Sequence, residues 1–389
     1  MNPDSRSGDP LALLDDYDFE LPEASIAQAP PEHREDARLL VLDRQSGAIV
    51  DGERDQRIRD LPEWLRPGDL LVVNATRVLA AKLVGRKVSG GSAEALLLGP
   101  AVSDSPNVAD RAEGATASDY RALVKCTGRL REGLEFRFGD PETPISASVR
   151  RVHPRGEVTL RFEPSVDPYA HGEAPLPPYI ERRGTERRGD DPHREDLERY
   201  QTVFAREPGA IAAPTAGLHL TRSLLERLRE GGVGTAEVVL HVGVGTFRPI
   251  EASAIETGRL HAERFELPAE TVEAVERTRS AGGRVIAVGT TTTRVLESRV
   301  DERGRLEAGT GETELFIRPG GPPFRVVDGL LTNFHLPRSS LLLLVSEFVG
   351  RRELLDAYAH AIREGFRFYS YGDAMLILPD ADRPGRDEP

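Results

Sequence analysis

The stretch GDLLVVNATRVLAAKLVG, residues 68–85, carries two kinds of structure in one segment. Pro67-Gly68 ends the helical turn suggested by Leu61 to Leu65. Asp69 to Val73 is then a short continuous apolar run, the pattern of a buried strand. It stops at a polar tip, Asn74-Ala75-Thr76-Arg77. From Lys82 onward the texture changes to short β-type runs: Lys82–Val88, Ala93–Leu98, Tyr120–Thr127, Leu134–Phe138, Ser146–Val152 and Val158–Phe162. Turns such as Gly90-Gly91 separate them, and no helix-period segment interrupts them. That spacing predicts a small all-β barrel or sandwich. Residues 101–119 are small and polar and read as a loop insertion between two of the strands.

On either side of this junction, both chain ends alternate strands and helices. Upstream, Leu39–Asp43, a Gln45-Ser46-Gly47 turn and Ile49–Asp51 give a hairpin signal. Downstream, Ala210–Ala213 reads as a strand leading to Pro214-Thr215-Ala216-Gly217. Thr221 or Ser223 can cap a helix through Arg229, and Ser223 with Glu226 fits a capping box. Strands are expected at Ala236–Val242 and Arg284–Val288, and helices at 269–281, 290–298, 339–349 and 352–364. Tyr371 to Leu378 reads as a turn and a last strand. The reading is an α/β, two-domain chain. A discontinuous, barrel-like α/β body (1–81 and 163–378) carries an inserted β-barrel domain (82–162), and a disordered tail (379–389) follows. The segment 181–199 sets six arginines against seven acidic residues and reads as a mobile solvated loop.

Composition bounds the partners. In 389 residues there are 51 basic and 64 acidic side chains, a net charge of −13, so the chain is no general polyanion binder. The β segment differs: residues 82–161 carry 13 basic and 10 acidic residues. A single cysteine, Cys126, allows no intramolecular disulfide. The longest apolar run, Leu341–Val345, is far below the ~20 residues of a membrane span. These features predict a soluble, cytoplasmic protein.

Three polar loops follow expected strands: Asn74 to Arg77, Pro214 to His219, and Gly289 to Thr293. In open α/β sheets ligands bind beyond the carboxyl ends of strands, where loop N–H groups and hydroxyls point outward. His219 and His241 sit beside such loops, and His335 lies in Thr332-Asn333-Phe334-His335. Histidines there can move protons near neutral pH. Gly243 and Gly245 do not make a dinucleotide fingerprint, because Pro249 stands where a helix should run and a third glycine is missing. No GxSxG, P-loop or metal-ligand spacing appears.

Taken together, several segments resemble the S-adenosylmethionine:tRNA ribosyltransferase-isomerase family of queuosine biosynthesis. They include DFELPEASIAQAP (18–30), residues 68–85, PLPPYI (175–180), YQTVFAREPGAIAAPTAGLHLT (200–221) and LHVGVGTFRPI (240–250). ERFELP (263–268), VIAVGTTTTRVLES (285–298), TNFHLPRSSLLLLVSEFVG (332–350) and YSYGDAMLIL (369–378) complete the likeness. Ala75 stands where an acidic residue is common, Thr292-Thr293 replaces Ser-Val, and the loops at 101–119 and 182–196 are longer than usual.

The resemblance implies an α/β body with an inserted β-barrel. It also implies transfer of the ribosyl part of S-adenosylmethionine to 7-aminomethyl-7-deazaguanine at the wobble position of tRNA with a GUN anticodon. The ribosyl group becomes an epoxycyclopentanediol, giving epoxyqueuosine, and adenine and methionine leave. S-adenosylmethionine is then a consumed substrate, with no other cofactor and no metal, and the enzyme is a monomer. Such chemistry needs proton-transfer groups, for which His219, His241, His335 and Asp373 are the candidates. Asn74, Thr215, Thr246, Thr290 and Thr291 would orient ribose or base, and Arg77 or Arg338 would hold a carboxylate or phosphate. Arginines and lysines of 82–161 would meet tRNA in a groove beside the body. Two other readings are an RNA methyltransferase, which would leave S-adenosylhomocysteine, and a non-catalytic RNA-binding module.

Overall fold

The computed structural model of the chain describes residues 10–50, 55–101, 118–181, 192–247 and 250–381. The expected loop insertion at 101–119, the loop at 182–196 and the tail at 379–389 lie largely outside the described residues.

Strands β1 (Leu39–Asp43) and β2 (Leu70–Asn74) open the body, and β3 (Thr76–Val78) leads out of it. The insertion follows as β4 (Lys82–Lys87), β5 (Ser92–Pro100), β6 (Asp119–Cys126), β7 (Glu135–Phe138), β8 (Ile145–Val152) and β9 (Glu157–Phe162). The body resumes with α1 (Pro192–Arg199), β10 (Glu207–Ala210), α2 (Arg222–Glu230), β11 (Gly234–Leu240), α3 (Ala252–Thr257) and β12 (Arg259–Leu267). It continues through α4 (Ala269–Ser280), β13 (Val285–Val288), α5 (Thr290–Ser298), β14 (Gly309–Leu315) and β15 (Gly329–Asn333). Helices α6 (Ser340–Val349) and α7 (Arg351–Arg363) precede the last strand, β16 (Ala374–Leu378).

Eight strands form the body sheet in the order β1-β16-β15-β13-β2-β11-β12-β14. The neighbours β15, β13, β2 and β11 are parallel. Their sequences are largely apolar because both faces are covered. Leu70, Val72, Val285, Ala287 and Leu330 point into one core. Leu71, Val73, Ile286, Val288 and Leu331 point into the other, against Trp64, Leu224 and Leu228. Each buried Val, Leu or Ile contributes about 1.5–3 kcal/mol to folding. The carboxyl ends of these four strands, at Asn333, Val288, Asn74 and Leu240, therefore emerge along one side of the sheet.

The insertion closes as an antiparallel barrel, β4-β5-β6-β9-β8-β7, around Leu83, Leu97, Phe136, Phe138 and Leu160. Closure removes the edges that six short strands would otherwise expose. The fold class is thus the α/β body with a β-barrel insertion that the sequence predicts. The closed barrel is the insertion, and the body strands run in a row from β1 to β14. Lys82 and Glu173 exchange backbone hydrogen bonds at the barrel's root, and Arg155 pairs with Glu251 on the body.

Several local expectations are corrected. The strand expected at Ala210–Ala213 instead ends at Ala210, because its pairing with β3 starts earlier, at Glu207 opposite Thr76. Of the two capping candidates Thr221 is the cap of α2, its Oγ1 accepting from the Leu224 N–H at 3.0 Å, and the Ser223–Glu226 box gives way to it. The hairpin at 39–51 reduces to the Leu42–Ile49 bridge, and Asp51 lies outside the described residues. Strands β3, β12, β14 and β15 and helix α3 had no counterpart in the sequence reading, and helix α1 takes up the end of the segment 181–199 that reads as a loop. Among the described residues no helix is long and apolar enough to cross a membrane.

Candidate active site

Segments just beyond β11, β13 and β15 border a cleft of about 890 Å³, open solvent at its mouth included. Thr215, Thr290, Thr291 and His335 all line it. The sequence brought these residues from three separate loops: parallel β13 and β15 set the loops of Thr290, Thr291 and His335 side by side, and the Thr215 loop, which follows β10, joins them in the wall. Helix α5 starts at Gly289, whose φ of +88° is open to glycine at little cost, and no side chain caps that start. The uncapped turn forms part of the cleft wall.

Asn74 lies behind the wall. Its Nδ2 donates to the Leu240 carbonyl at 3.0 Å and to Thr291 Oγ1 at 3.2 Å. Its Oδ1 accepts from the N–H groups of Thr76 and Leu240. With its amide fully paired, Asn74 joins β2, β11 and α5 and orients the Thr291 hydroxyl.

The histidines separate into three environments. His335 is in the wall, 9% exposed, with Nε2 2.8 Å from Thr332 Oγ1 and its backbone N–H donating to the Tyr358 hydroxyl. Burial pushes its pKa down to about 3, so it is neutral at physiological pH. His219 sits behind Asn333, and its Nε2 is 3.0 Å from Asn333 Nδ2. Burial, and then the charges of Arg367 and Arg34, push it down to about 3 as well. His241 is half-buried outside the wall, with Nδ1 2.8 Å from Thr76 Oγ1 and its ring against Gly209. Burial and Arg264 lower its pKa, while Glu207 and Glu266 oppose the shift.

Three further candidates stand apart from the cleft wall. Asp373 is buried, and its two oxygens accept from the backbone N–H groups of Arg38 and Arg367, with the Arg367 guanidinium at 3.6 Å. That carboxylate pins the chain before β16 and is not placed for proton transfer in the cleft. Arg77 is exposed on β3. Arg338, at φ +58°, faces solvent and pairs with Asp15 at 3.2 Å. The Thr246 side chain lies outside the described residues.

The sequence reading passed over much of the wall. Tyr179, Thr332, Asn333, Tyr369 and Ser370 all line the cleft. The Tyr179 hydroxyl is 2.6 Å from Ser370 Oγ, and the Tyr179 and Tyr369 rings lie 4.6 Å apart. Tyr369 holds a φ of +71°, strained for a non-glycine residue. Asn333 had a usable signal, since it stands two positions before a singled-out histidine in the Thr332-Asn333-Phe334-His335 motif. Beneath the site, Glu263 pairs with Arg294 of α5, the side chains both 7% exposed, and also accepts from the Gly243 N–H at 2.9 Å.

The arrangement is a mostly apolar cleft rimmed by hydroxyls, one neutral imidazole and aromatic rings. The family model described as "Queuosine biosynthesis protein" matches residues 14–377. The chain belongs to the queuosine biosynthesis protein family. Its relatives include the S-adenosylmethionine:tRNA ribosyltransferase-isomerase of Gloeobacter violaceus, 48% identical over 374 residues, which are 95% of this chain and 97% of that one. That of Trichlorobacter lovleyi is 45% identical, over 94% of this chain and 100% of its own. A solved structure, S-adenosylmethionine tRNA ribosyltransferase from Thermotoga maritima, is 35% identical and covers 93% of this chain and 100% of its own, with a TM-score of 0.50. The expectation of a queuosine-pathway enzyme is thereby borne out.

Proposed function

We propose that this enzyme transfers and isomerises the ribosyl group of S-adenosylmethionine onto a 7-aminomethyl-7-deazaguanine at the wobble position of a GUN-anticodon tRNA. The gathering of Thr215, Thr290, Thr291 and His335 in one cleft carries this reading. The sulfonium of S-adenosylmethionine acidifies the adjacent C5′ protons. His335, kept in its base form by burial, is the candidate to accept one. In the tautomer whose Nε2–H donates to the Thr332 hydroxyl, Nδ1 is left as the acceptor for that proton. Thr290, Thr291 and Thr215 would hold the ribose hydroxyls, and the attacking amine must first lose a proton of pKa ~10.

In this reading S-adenosylmethionine is consumed, no further cofactor or metal enters, and the enzyme works as a cytoplasmic monomer. The body (1–81 and 163–378) acts as the catalytic domain and the barrel (82–162) as a separate domain beside it. Contacts at Glu173 and Glu251 hold the barrel against the body, and the RNA would lie along that junction. Incubation with S-adenosylmethionine and deazaguanine-modified tRNA, followed by mass spectrometry, tests the proposal. The expected products are an epoxyqueuosine nucleoside and one adenine per modified tRNA. S-adenosylhomocysteine would indicate a methyltransferase, and tRNA binding without turnover a binding module.

A further inference from the structure

Asn333 is 2% exposed at the end of β15 and forms part of the cleft wall. Chemistry fixes which way its carboxamide points. Nδ2 lies 3.0 Å from the Tyr369 carbonyl oxygen, which can only accept, so the amino end must face it. The same Nδ2 lies 3.0 Å from His219 Nε2, which must then accept too and leave the His219 proton on Nδ1. His219 is neutral because it is buried beside Arg367 and Arg34, and a neutral imidazole can serve as that acceptor. Both N–H groups of Asn333 are thereby paired. Its Oδ1 is buried and has no hydrogen-bond partner among the described residues.

A buried acceptor left unpaired is costly and calls for a partner. Oδ1 needs an N–H or O–H donor, and since Asn333 forms part of the cleft wall, a ligand in the cleft is the candidate to supply it. Among the described residues the wall contains no Asp, Glu, Lys or Arg. An ammonium group would be poorly served there. A flat neutral base is well served, with Phe334, Tyr179 and Tyr369 offering aromatic surface.

We propose that Asn333 Oδ1 accepts the 6-amino N–H of the adenine of S-adenosylmethionine, and that His219 is a positioning residue that locks the carboxamide for this contact. The assignment rests on S-adenosylmethionine occupying the cleft. It gives the site a means to select a 6-amino over a 6-oxo purine nucleoside, since a 6-oxo group would set acceptor against acceptor.

Calorimetric titration of the full-length protein with S-adenosylmethionine and with S-inosylmethionine, its 6-oxo analogue, tests the assignment. The wild type is expected to bind the amino compound at least about a hundredfold more tightly. In Asn333→Ala, and in the smaller change Asn333→Ser, that preference falls below about tenfold, with folding checked by thermal melting. Equal binding of both compounds by the wild type overturns the proposal, as does a full preference surviving in Asn333→Ala. Failure of the wild type to bind S-adenosylmethionine at all overturns the reading of the site itself, and this assignment with it. His219→Gln, whose Oε1 can still accept from Asn333, should keep the preference and leave the pH profile of turnover unmoved. His219→Leu should lose most of the preference. A shifted pH profile in His219→Gln would contradict a positioning role.

Discussion

Burial strips the proton from both His219 and His335, yet the two end in different roles because of what each one touches. Their pKa values near 3 in the folded protein lie below the ~6.5 of an unfolded histidine. Below pH ~6.5 the unfolded chain therefore binds protons that the folded chain refuses. Their contribution to stability is complete above that pH and is lost as pH falls toward 3. Each histidine at full effect adds a slope of about 1.4 kcal/mol per pH unit. Thermal melts from about pH 8 to about 4 should show a decline beginning near ~6.5, less steep in His335→Gln. The same substitution should lower turnover about a hundredfold or more at constant folding, since it removes the proposed base. Wild-type adenine release from His335→Gln would remove His335 from the chemistry. The histidines were visible as candidates from residue type alone. Their partners Asn333 and Thr332 were not ranked, because a side chain's role here depends on which strand face it occupies.

One level up, among the strands and helices, the site exists because β11, β13 and β15 end on one side of the sheet and the loop after β10 closes in beside them. The runs Leu70–Val73 and Val285–Val288 were legible as strands since both faces are buried. Strands β12 and β14 were missed because only alternate residues of β12, such as Phe265 and Leu267, are buried, and β14 is largely polar. The buried Glu263 that joins β12 to α5 was therefore invisible in sequence. Removing one partner of such a pair leaves an unpaired buried charge, which costs about 3–5 kcal/mol. Glu263→Ala should thus lose about that much stability in urea unfolding. A change under about 1 kcal/mol would show that the pair does not hold α5 against the sheet.

Taken as one body, an acidic chain must still accept RNA. The barrel was readable from its short strands and turns, while its closing order, with β4 beside β7, required the three-dimensional register. That register sets Arg86 directly opposite Arg137, both exposed, with the exposed Val84 and Val88 two residues to either side of Arg86. Like charges facing each other across strands repel, and a phosphate between them would relieve that repulsion. Arg86→Glu and Arg137→Glu should each weaken tRNA binding and reduce its salt slope by about one. An unchanged slope in the double variant would move the RNA contact off this face.

Strand tips scattered through the sequence build one nucleoside site, and a crystal structure with S-adenosylmethionine bound is the decisive check. The adenosyl group is expected between Thr215, Thr290, Thr291 and His335, with its 6-amino group on Asn333 Oδ1. A sulfonium nucleoside seated anywhere else on the protein would refute the shared site.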